Sequence, residues 1–199
     1  MDLERDRRHF DHWAPQYDRS LLQPVFFSPI HVATLSAATK AGAHPHDVLD
    51  LGCGTGRLLE RAADRWPDAR FVGIDVSSMM IEQARRKHSG EARFRFEVAD
   101  AAGLPLAPAS VDVALTTLSF HHWADQLGGV REVARVLRPN GLFILADIRP
   151  PVVLRPILRR FHASRSRQKL FREAGLTVAG HQRPWRLGGT VLITVGRKA

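Results

Sequence analysis

Two hydrophobic rhythms alternate along the chain. Short apolar runs that end on a polar residue are separated by segments in which apolar positions recur at helical spacing. Residues 47–52 are apolar and β-leaning, and residues 55–66 predict a helix that stops before Pro67. A short strand follows at 70–75, Arg-Phe-Val-Gly-Ile-Asp. Residues 77–88 predict a helix with Ser77 as N-cap and Glu82, Gln83, Arg85 and Arg86 on its wet side. Strands are predicted at 92–98 and 111–118, and a helix at 124–137, closed by the turn Arg138-Pro139-Asn140-Gly141. Residues 142–147 give the fifth strand. Strands that alternate with helices in this way predict an α/β fold: a mostly parallel sheet covered on both faces, with ligands beyond the carboxyl ends of its strands.

The first predicted strand runs into the densest chemical signal in the chain, Val48-Leu-Asp-Leu-Gly-Cys-Gly-Thr-Gly56. A glycine loop between a strand and a helix N-terminus lets backbone approach a ligand, and the helix amides favour a negative group. The spacing narrows that ligand. A phosphate-binding loop needs Lys and then Ser or Thr after its last Gly, and Arg57-Leu58 supplies neither. A dinucleotide fingerprint needs Gly three residues after Gly54, where Arg57 stands. The pattern left is Asp50-x-Gly52-x-Gly54-x-Gly56, set against the plainer alternative of a glycine-rich turn in an unrelated fold.

Two acids stand at further strand ends. Asp75 closes the second strand, where a carboxylate can accept from both hydroxyls of a ribose, or else cap the next helix. Asp100 ends the third strand, where it can accept from an adenine amino group or simply make a turn.

At 199 residues the chain fits one compact domain. No apolar stretch is long enough to span a bilayer, and Met1-Asp-Leu-Glu-Arg-Asp-Arg-Arg8 carries no apolar signal region, so a cytoplasmic location is expected. The one cysteine, Cys53, lies inside the glycine loop; it reads as filler rather than as a metal ligand or nucleophile, and no metal site is expected. Charge is distributed unevenly. Residues 1–148 carry 17 basic and 19 acidic side chains, whereas residues 149–199 carry 12 basic residues and the single acid Glu173, for an overall +9. The densest basic run is Arg155, Arg159, Arg160, Arg165, Arg167, Lys169 and Arg172. Such a face attracts anions such as nucleic acid, acidic headgroups or an acidic substrate; its plain alternative is a solvated, arginine-rich helix.

The Asp-x-Gly-x-Gly-x-Gly loop resembles motif I of the class I methyltransferases that use S-adenosylmethionine, a ligand with a carboxylate but no phosphate. The resemblance extends through Phe71-Val-Gly-Ile-Asp-Val-Ser-Ser-Met-Met-Ile-Glu-Gln-Ala84, Asp100-Ala-Ala-Gly-Leu-Pro-Leu106 with Ser110-Val-Asp-Val113, and Arg135-Val-Leu-Arg-Pro-Asn-Gly-Leu142. Together these segments are similar to the small-molecule type 11 methyltransferases, the group that contains the quinone-biosynthesis C-methyltransferases. The resemblance is strong over about residues 45–148. At the flanks, Phe10-Asp-His-Trp-Ala-Pro-Gln-Tyr-Asp18 is similar to the family's N-terminal lid, and Leu170–Leu176 and Thr190–Lys198 look like its last helix and closing strands.

The resemblance implies a Rossmann-like, doubly wound, mostly parallel seven-stranded sheet with an antiparallel C-terminal strand and helices on both faces. It implies one domain, with a helical lid at 1–44, a cofactor core at 45–148 and a basic part at 149–199 that completes the sheet. Asp50, Gly52, Cys53, Gly54 and Gly56 would line the methionine portion, and Asp75 would hold the ribose. Val76 and Met80 would sandwich the adenine, Asp100 and Ala101 would read its edge, Leu118 would close the floor and Tyr17 would belong to the lid. Asn140 stands where the family has Gly, and Asn tolerates the left-handed backbone such a turn needs.

If the acceptor must lose a proton, the candidate bases are His121 and His122 in Ser119-Phe-His-His-Trp123, with Tyr17 a weaker second. Several acceptors are disfavoured. The fourth strand lacks the Asn-Pro-Pro-aromatic signature for planar amines, Cys53 is misplaced for a cytosine nucleophile, and no paired acid and amide follows Asp147. The expected activity is methyl transfer to a small molecule, with S-adenosylhomocysteine as product. The Pro- and Arg-rich stretch Arg149-Pro-Pro-Val-Val-Leu-Arg-Pro156 hints at an anionic or membrane-associated acceptor. The alternatives are an RNA methyltransferase drawn by the basic C-terminal part and a non-catalytic regulator that binds the cofactor. Oligomeric state is not legible.

Overall fold

The computed structural model describes Asp11, Ala14, Tyr17, Asp18, Ser20 and residues 23–148, 166–184 and 190–199. Seven strands form a single sheet: β1 (Asp47–Leu51), β2 (Arg70–Asp75), β3 (Phe94–Val98), β4 (Val111–Thr117), β5 (Leu137–Ile148), β6 (Leu176–Gln182) and β7 (Val191–Lys198). Their order is β3-β2-β1-β4-β5-β7-β6. The first five pair in parallel, and β7 enters antiparallel between β5 and β6. The described helices are α1 (Ser28–Lys40), α2 (Arg57–Arg65), α3 (Ser78–Lys87), α4 (Gln126–Val136) and α5 (Arg167–Glu173), with a π-helical turn at Gln23–Phe27 and a 3-10 turn at Phe120–His122. None of them is long and apolar enough to cross a membrane.

Alternation along each strand divides the core in two. Val48, Val113, Leu115, Leu142, Ile144 and Ala146 face one side, where α1, α2 and α3 bring Ala37, Leu58, Ala62 and Ile81. Leu49, Leu51, Ala114, Phe143 and Leu145 face the other, against Val130 and Val133 of α4 and Leu170 and Phe171 of α5. Consecutive residues on opposite faces are what a strand's period of two requires, and burial on both faces explains why these strands read as continuous apolar runs. The doubly wound sheet expected from the resemblance is the one observed.

Two expectations need correction. The 138–141 segment is not a turn that precedes the fifth strand: β5 begins at Leu137 and carries it as a bulge. Leu137 pairs with Val111 and Leu142 with Val113, so extra residues loop out between two rungs, and Asn140 takes φ 65°. Arg197 donates to the Asn140 carbonyl at 3.1 Å and pins the loop. The second correction concerns 1–44 as a lid. Its helix α1 is core: Ile30, Leu35, Ala37 and Ala38 are buried against the sheet.

The edge of the sheet remote from the strand carboxyl ends is tied by charge. Asp112 accepts from the backbone of His46 at 2.8 Å and Asp47 at 2.9 Å, and from Arg138 at 2.9 Å. Burial opposes its ionisation, but the two backbone N–H groups and the guanidinium outweigh burial and hold the carboxyl below its usual range. Asp112→Asn should therefore cost about 1–2 kcal/mol at neutral pH, a value discounted for the group's partial exposure. A depressed carboxylate contributes stability above its unfolded pKa, and that contribution disappears as pH falls through the lower folded value. Urea midpoints of the two proteins should thus differ at pH 7 and converge toward pH 2; a gap that is constant with pH would contradict this role.

Candidate functional site

The site lies where β1, β2, β4 and β5 end and their loops meet. Asp50, on β1, is 1% exposed, and its Oδ1 is buried with no hydrogen-bond partner among the described residues. Burial, then the charge of nearby Asp75, pushes its carboxyl well above the ordinary carboxylate range. A buried, unpaired acceptor is costly, so a site that retains one is suited to a ligand that supplies a donor or a positive charge.

Asp75 ends β2 and ties two loops together. Its Oδ2 accepts from Gly54 N–H and its Oδ1 from Ser77 N–H, each at 2.9 Å. Burial raises its pKa against those backbone donors. Ser77 caps α3 as predicted, its Oγ accepting from Met80 N at 3.1 Å, and the same hydroxyl donates to Asp11 at 2.5 Å. Met80 is buried beneath this junction and Val76 is half-buried beside it.

The glycine loop serves packing as much as ligand approach. Gly52 has φ 68°, and a Cβ there would lie 1.9 Å from Ser119 Oγ, so the turn after β4 sits directly on it. Gly54 has φ 53° and faces the Tyr17 ring, 3.7 Å from where its Cβ would be. Gly56, with φ 86°, supplies the left-handed residue at which α2 begins. Cys53 is buried, with Sγ 2.8 Å from the position of a Cβ on Gly73, which fits the filler reading.

Tyr17 is thus brought over the loop. Burial first, opposed by a hydrogen bond with Gln23, lifts its phenol to about 12, so at neutral pH it is protonated. Asp18, next to it, accepts from Thr55 Oγ1 at 2.7 Å and pairs with Lys87 at 3.1 Å and Arg57 at 3.6 Å. Thr55 belongs to the loop itself, Arg57 to α2 and Lys87 to α3. Sequence reasoning missed them because polar partners 37 and more positions apart leave no local pattern.

At the third strand end, Asp100 Oδ1 accepts from Ala102 N at 2.7 Å, so its carboxylate already closes its own turn. The 100–106 loop is clamped from α4. Arg135 donates to the carbonyls of Leu106 at 2.8 Å and Leu104 at 3.1 Å, and Glu132 accepts from Leu104 N at 2.9 Å. Trp123 lies on Gly129 beside Ala101 and donates to Ser119 Oγ at 3.2 Å. A chain of contacts thus runs from Ala101 through Trp123 and Ser119 to Gly52. Leu118 enters this turn with φ 54°, a strained conformation for a bulky residue and the kind retained at functional sites.

His121 and His122 follow, with ring centroids 4.0 Å apart. His121 is buried and bonded to Asp147 at the end of β5, through Nδ1 at 2.7 Å and its backbone N–H at 2.8 Å. Asp147 had no role in the sequence reading, which noted only that no paired acid and amide follows it. In the basic part, Arg155, Arg159, Arg160 and Arg165 lie outside the described residues. Arg167, at the start of α5, donates to the Leu192 carbonyl at 2.8 Å.

Buried Asp50 and half-buried Asp75, beside the N-terminus of α2, are suited to an amino-acid group, which carries both charges: such a group's carboxylate could meet the amides and its ammonium Asp50. The orphaned Asp50 Oδ1, Asp75 beside it and the loop that packs under Tyr17 fit the methionine and ribose portions of S-adenosylmethionine.

Comparison with known proteins agrees. A methyltransferase domain model matches residues 48–141. Demethylmenaquinone methyltransferase of Deinococcus radiodurans is 37% identical over 141 residues, which cover 69% of this chain and 58% of that protein. Malonyl-[acyl-carrier protein] O-methyltransferase of Hahella chejuensis is 38% identical over 104 residues, 52% of this chain and 37% of that protein. The chain thus spans about half the length of the curated relatives it matches. Among solved structures, a chain from the complex between the Haloferax volcanii Trm112 methyltransferase activator and a methyltransferase superposes with a TM-score of 0.75 at 25% identity, covering 94% of this chain and 96% of that one. A SAM-dependent methyltransferase from Aquifex aeolicus gives 0.70 at 19% identity, covering 83% of this chain and 89% of that one. The glycine loop, the acids at the strand ends, the sheet order and these likenesses converge, and the chain belongs to the class I S-adenosylmethionine-dependent methyltransferases.

Proposed function

We propose that this protein transfers the methyl group of S-adenosylmethionine to a small-molecule acceptor. The observation that carries the reading is Asp50: a fully buried carboxylate with an unmatched oxygen, placed where a zwitterionic ligand would supply the missing cation. When bound, the cofactor supplies an electrophilic methyl on a sulfonium. The chain's own residues bind and orient. Asp50 and the α2 amides hold the amino-acid end, and Asp75 holds the ribose. Val76 and Met80 pack on the base while Asp100 and Ala101 face its edge. Tyr17 covers the loop, Leu118 forms the floor, and together they exclude water. Positioning and desolvation of this kind are worth about 7–11 kcal/mol for well-oriented partners.

Asp75→Ala should weaken cofactor binding tenfold or more, the ~1.4 kcal/mol expected for losing charge-assisted hydrogen bonds. It should also lower the melting temperature, because Gly54 and Ser77 lose their acceptor. Calorimetry that shows unchanged affinity would remove the ribose assignment.

A small-molecule acceptor is supported by relatives named for demethylmenaquinone and malonyl-[acyl-carrier protein]. Incubation with methyl-labelled cofactor should label metabolite extracts and not RNA. Label in RNA, with the steep salt dependence that phosphate contacts produce, would favour the nucleic-acid reading instead.

A further inference from the structure

Helices α1 and α2 lie side by side and run in one direction, away from the carboxyl ends of the strands. At the near end Phe27, which precedes α1, meets the Tyr17 ring at 5.6 Å between centroids, and Tyr17 faces Gly54 of the loop that leads into α2. At the far end Arg65 of α2 donates to Thr39 Oγ1 of α1 at 2.9 Å. His31 stands eight positions before Thr39, and Arg57 eight before Arg65. The first turns of the two helices therefore bring His31 and Arg57 to one level, with Arg61 a turn further along the same face of α2. Positive charge gathers there without an answer. Arg61 is half-buried and has no hydrogen-bond or ion-pair partner among the described residues. Arg57 has Asp18, whose carboxylate is shared with Thr55 and Lys87. Glu60 pairs with Lys87 at 2.8 Å, exposed Asp64 forms no ion pair among the described residues, and α1 contains no acid. His31 is 6% exposed and has no hydrogen-bond partner among the described residues. Burial, then the charges of Arg61 and Arg57, lowers its pKa to about 3, so at neutral pH the ring is neutral and has a donor and an acceptor to offer. A buried ring without a partner and a half-buried guanidinium without a counter-charge both cost stability, and a ligand that brings negative oxygens relieves both.

We propose that His31, Arg57 and Arg61 receive an oxyanion of the methyl acceptor, a carboxylate or a phosphate, and that the acceptor is an acidic small molecule. This deepens the function proposed above and rests on it. The two guanidiniums supply charge and planar N–H donors, and the neutral imidazole adds a donor that needs no counter-charge of its own. The cofactor has a carboxylate too, for which the first-turn amides of α2 are the partners. Arg61 lies a turn beyond them on the side that faces α1, which leaves it for a second anion. The oxyanion is an anchor and not the reacting group, so it keeps its charge through methyl transfer and stays on the product.

The test is NMR of the full chain, saturated with S-adenosylhomocysteine and titrated with inorganic phosphate or malonate at constant ionic strength. The His31 ring and Arg61 Nε–H signals are identified by their loss in His31→Gln and Arg61→Gln. Both should shift to saturation with either anion and not with chloride, and Arg61→Gln should weaken phosphate binding at least about tenfold. Arg65→Gln, on the same helix face but committed to Thr39, should bind phosphate as the wild type does. Calorimetry should give Arg61→Gln the wild-type affinity for S-adenosylmethionine. In metabolite extracts incubated with methyl-labelled cofactor, the labelled products should be retained by an anion exchanger, an arm that needs no variant to fold. A shift that fails to saturate, phosphate affinity unchanged in Arg61→Gln, or neutral labelled products would overturn the acceptor anchor alone. Loss of S-adenosylmethionine affinity in Arg61→Gln would assign the guanidinium to the cofactor's carboxylate and overturn the anchor as well. Absence of S-adenosylmethionine binding to the wild type would remove the methyl-donor reading and the anchor with it.

Discussion

At neutral pH, Asp50→Asn should weaken S-adenosylmethionine binding about 100-fold and at the same time raise the melting temperature of the ligand-free protein. Both effects have one cause. In the free protein Asp50 is a buried carboxylate with an unmatched oxygen, and burial followed by the charge of Asp75 raises its pKa. A raised carboxylate pKa means that ionisation costs folding free energy. That cost is absent below the unfolded pKa of about 4, grows as pH rises toward the folded value and is constant above it. Asparagine keeps the shape without the charge, so its stabilising effect should appear above about pH 4. A gain of about 1 kcal/mol corresponds to about 2–4 °C for a domain of this size. The same substitution removes the partner of the ligand's ammonium and leaves that charge unpaired in a dry site, worth about 2–4 kcal/mol. Differential scanning calorimetry and binding titrations on the two proteins measure both arms. A variant that lost stability and kept its affinity would show that Asp50 is a structural acid.

Gly52→Ala is the second large effect, with an expected loss of at least about 3 kcal/mol of stability and a collapse of cofactor binding. Two costs combine. An L-residue at φ 68° pays about 1–2 kcal/mol in backbone strain, and its Cβ would overlap Ser119 at 1.9 Å from Oγ and 2.4 Å from the Ser119 Cβ. Ser119 cannot withdraw freely, because it opens the turn that carries Trp123 and His121. Two controls separate these costs. Gly90 has φ 96° with nothing within 4 Å, so Gly90→Ala should show backbone strain alone. Gly103 has neither restraint, so Gly103→Ala should be nearly neutral. Urea midpoints should therefore fall in the order Gly103→Ala, Gly90→Ala, Gly52→Ala. If Gly52→Ala matched Gly90→Ala, the Ser119 turn would not be seated on the loop as described.

What was legible in the sequence was local or periodic. The strand at 70–75 and the Ser77 cap depend on neighbours in the chain, and the structure places both as predicted. The glycine spacing was legible because a ligand-binding turn writes its backbone needs into consecutive residues. Its meaning was only half read: Gly52 makes room for Ser119, a residue 67 positions away, as well as for a ligand. The β5 bulge was hidden because Pro-Asn-Gly looks the same in a free turn and in a bulge, and only the shifted pairing with β4 separates them. Asp147 was hidden for a similar reason. An acid at the end of an apolar strand carries no sign of which side chain meets it, and its partner lies 26 residues back on a different strand's loop. Long-range polar pairs such as Asp18 with Lys87 require the fold before they can be seen.

The central claim is that the loop around Asp50 holds the amino-acid end of S-adenosylmethionine, and its most direct test is calorimetric titration of the cofactor between pH 5 and pH 8. Wild-type protein should bind one equivalent, with affinity that falls as pH falls and Asp50 takes up a proton, whereas Asp50→Asn should bind weakly and without that pH dependence. Cofactor binding that was equally tight in both proteins, or absent from the wild type, would contradict it.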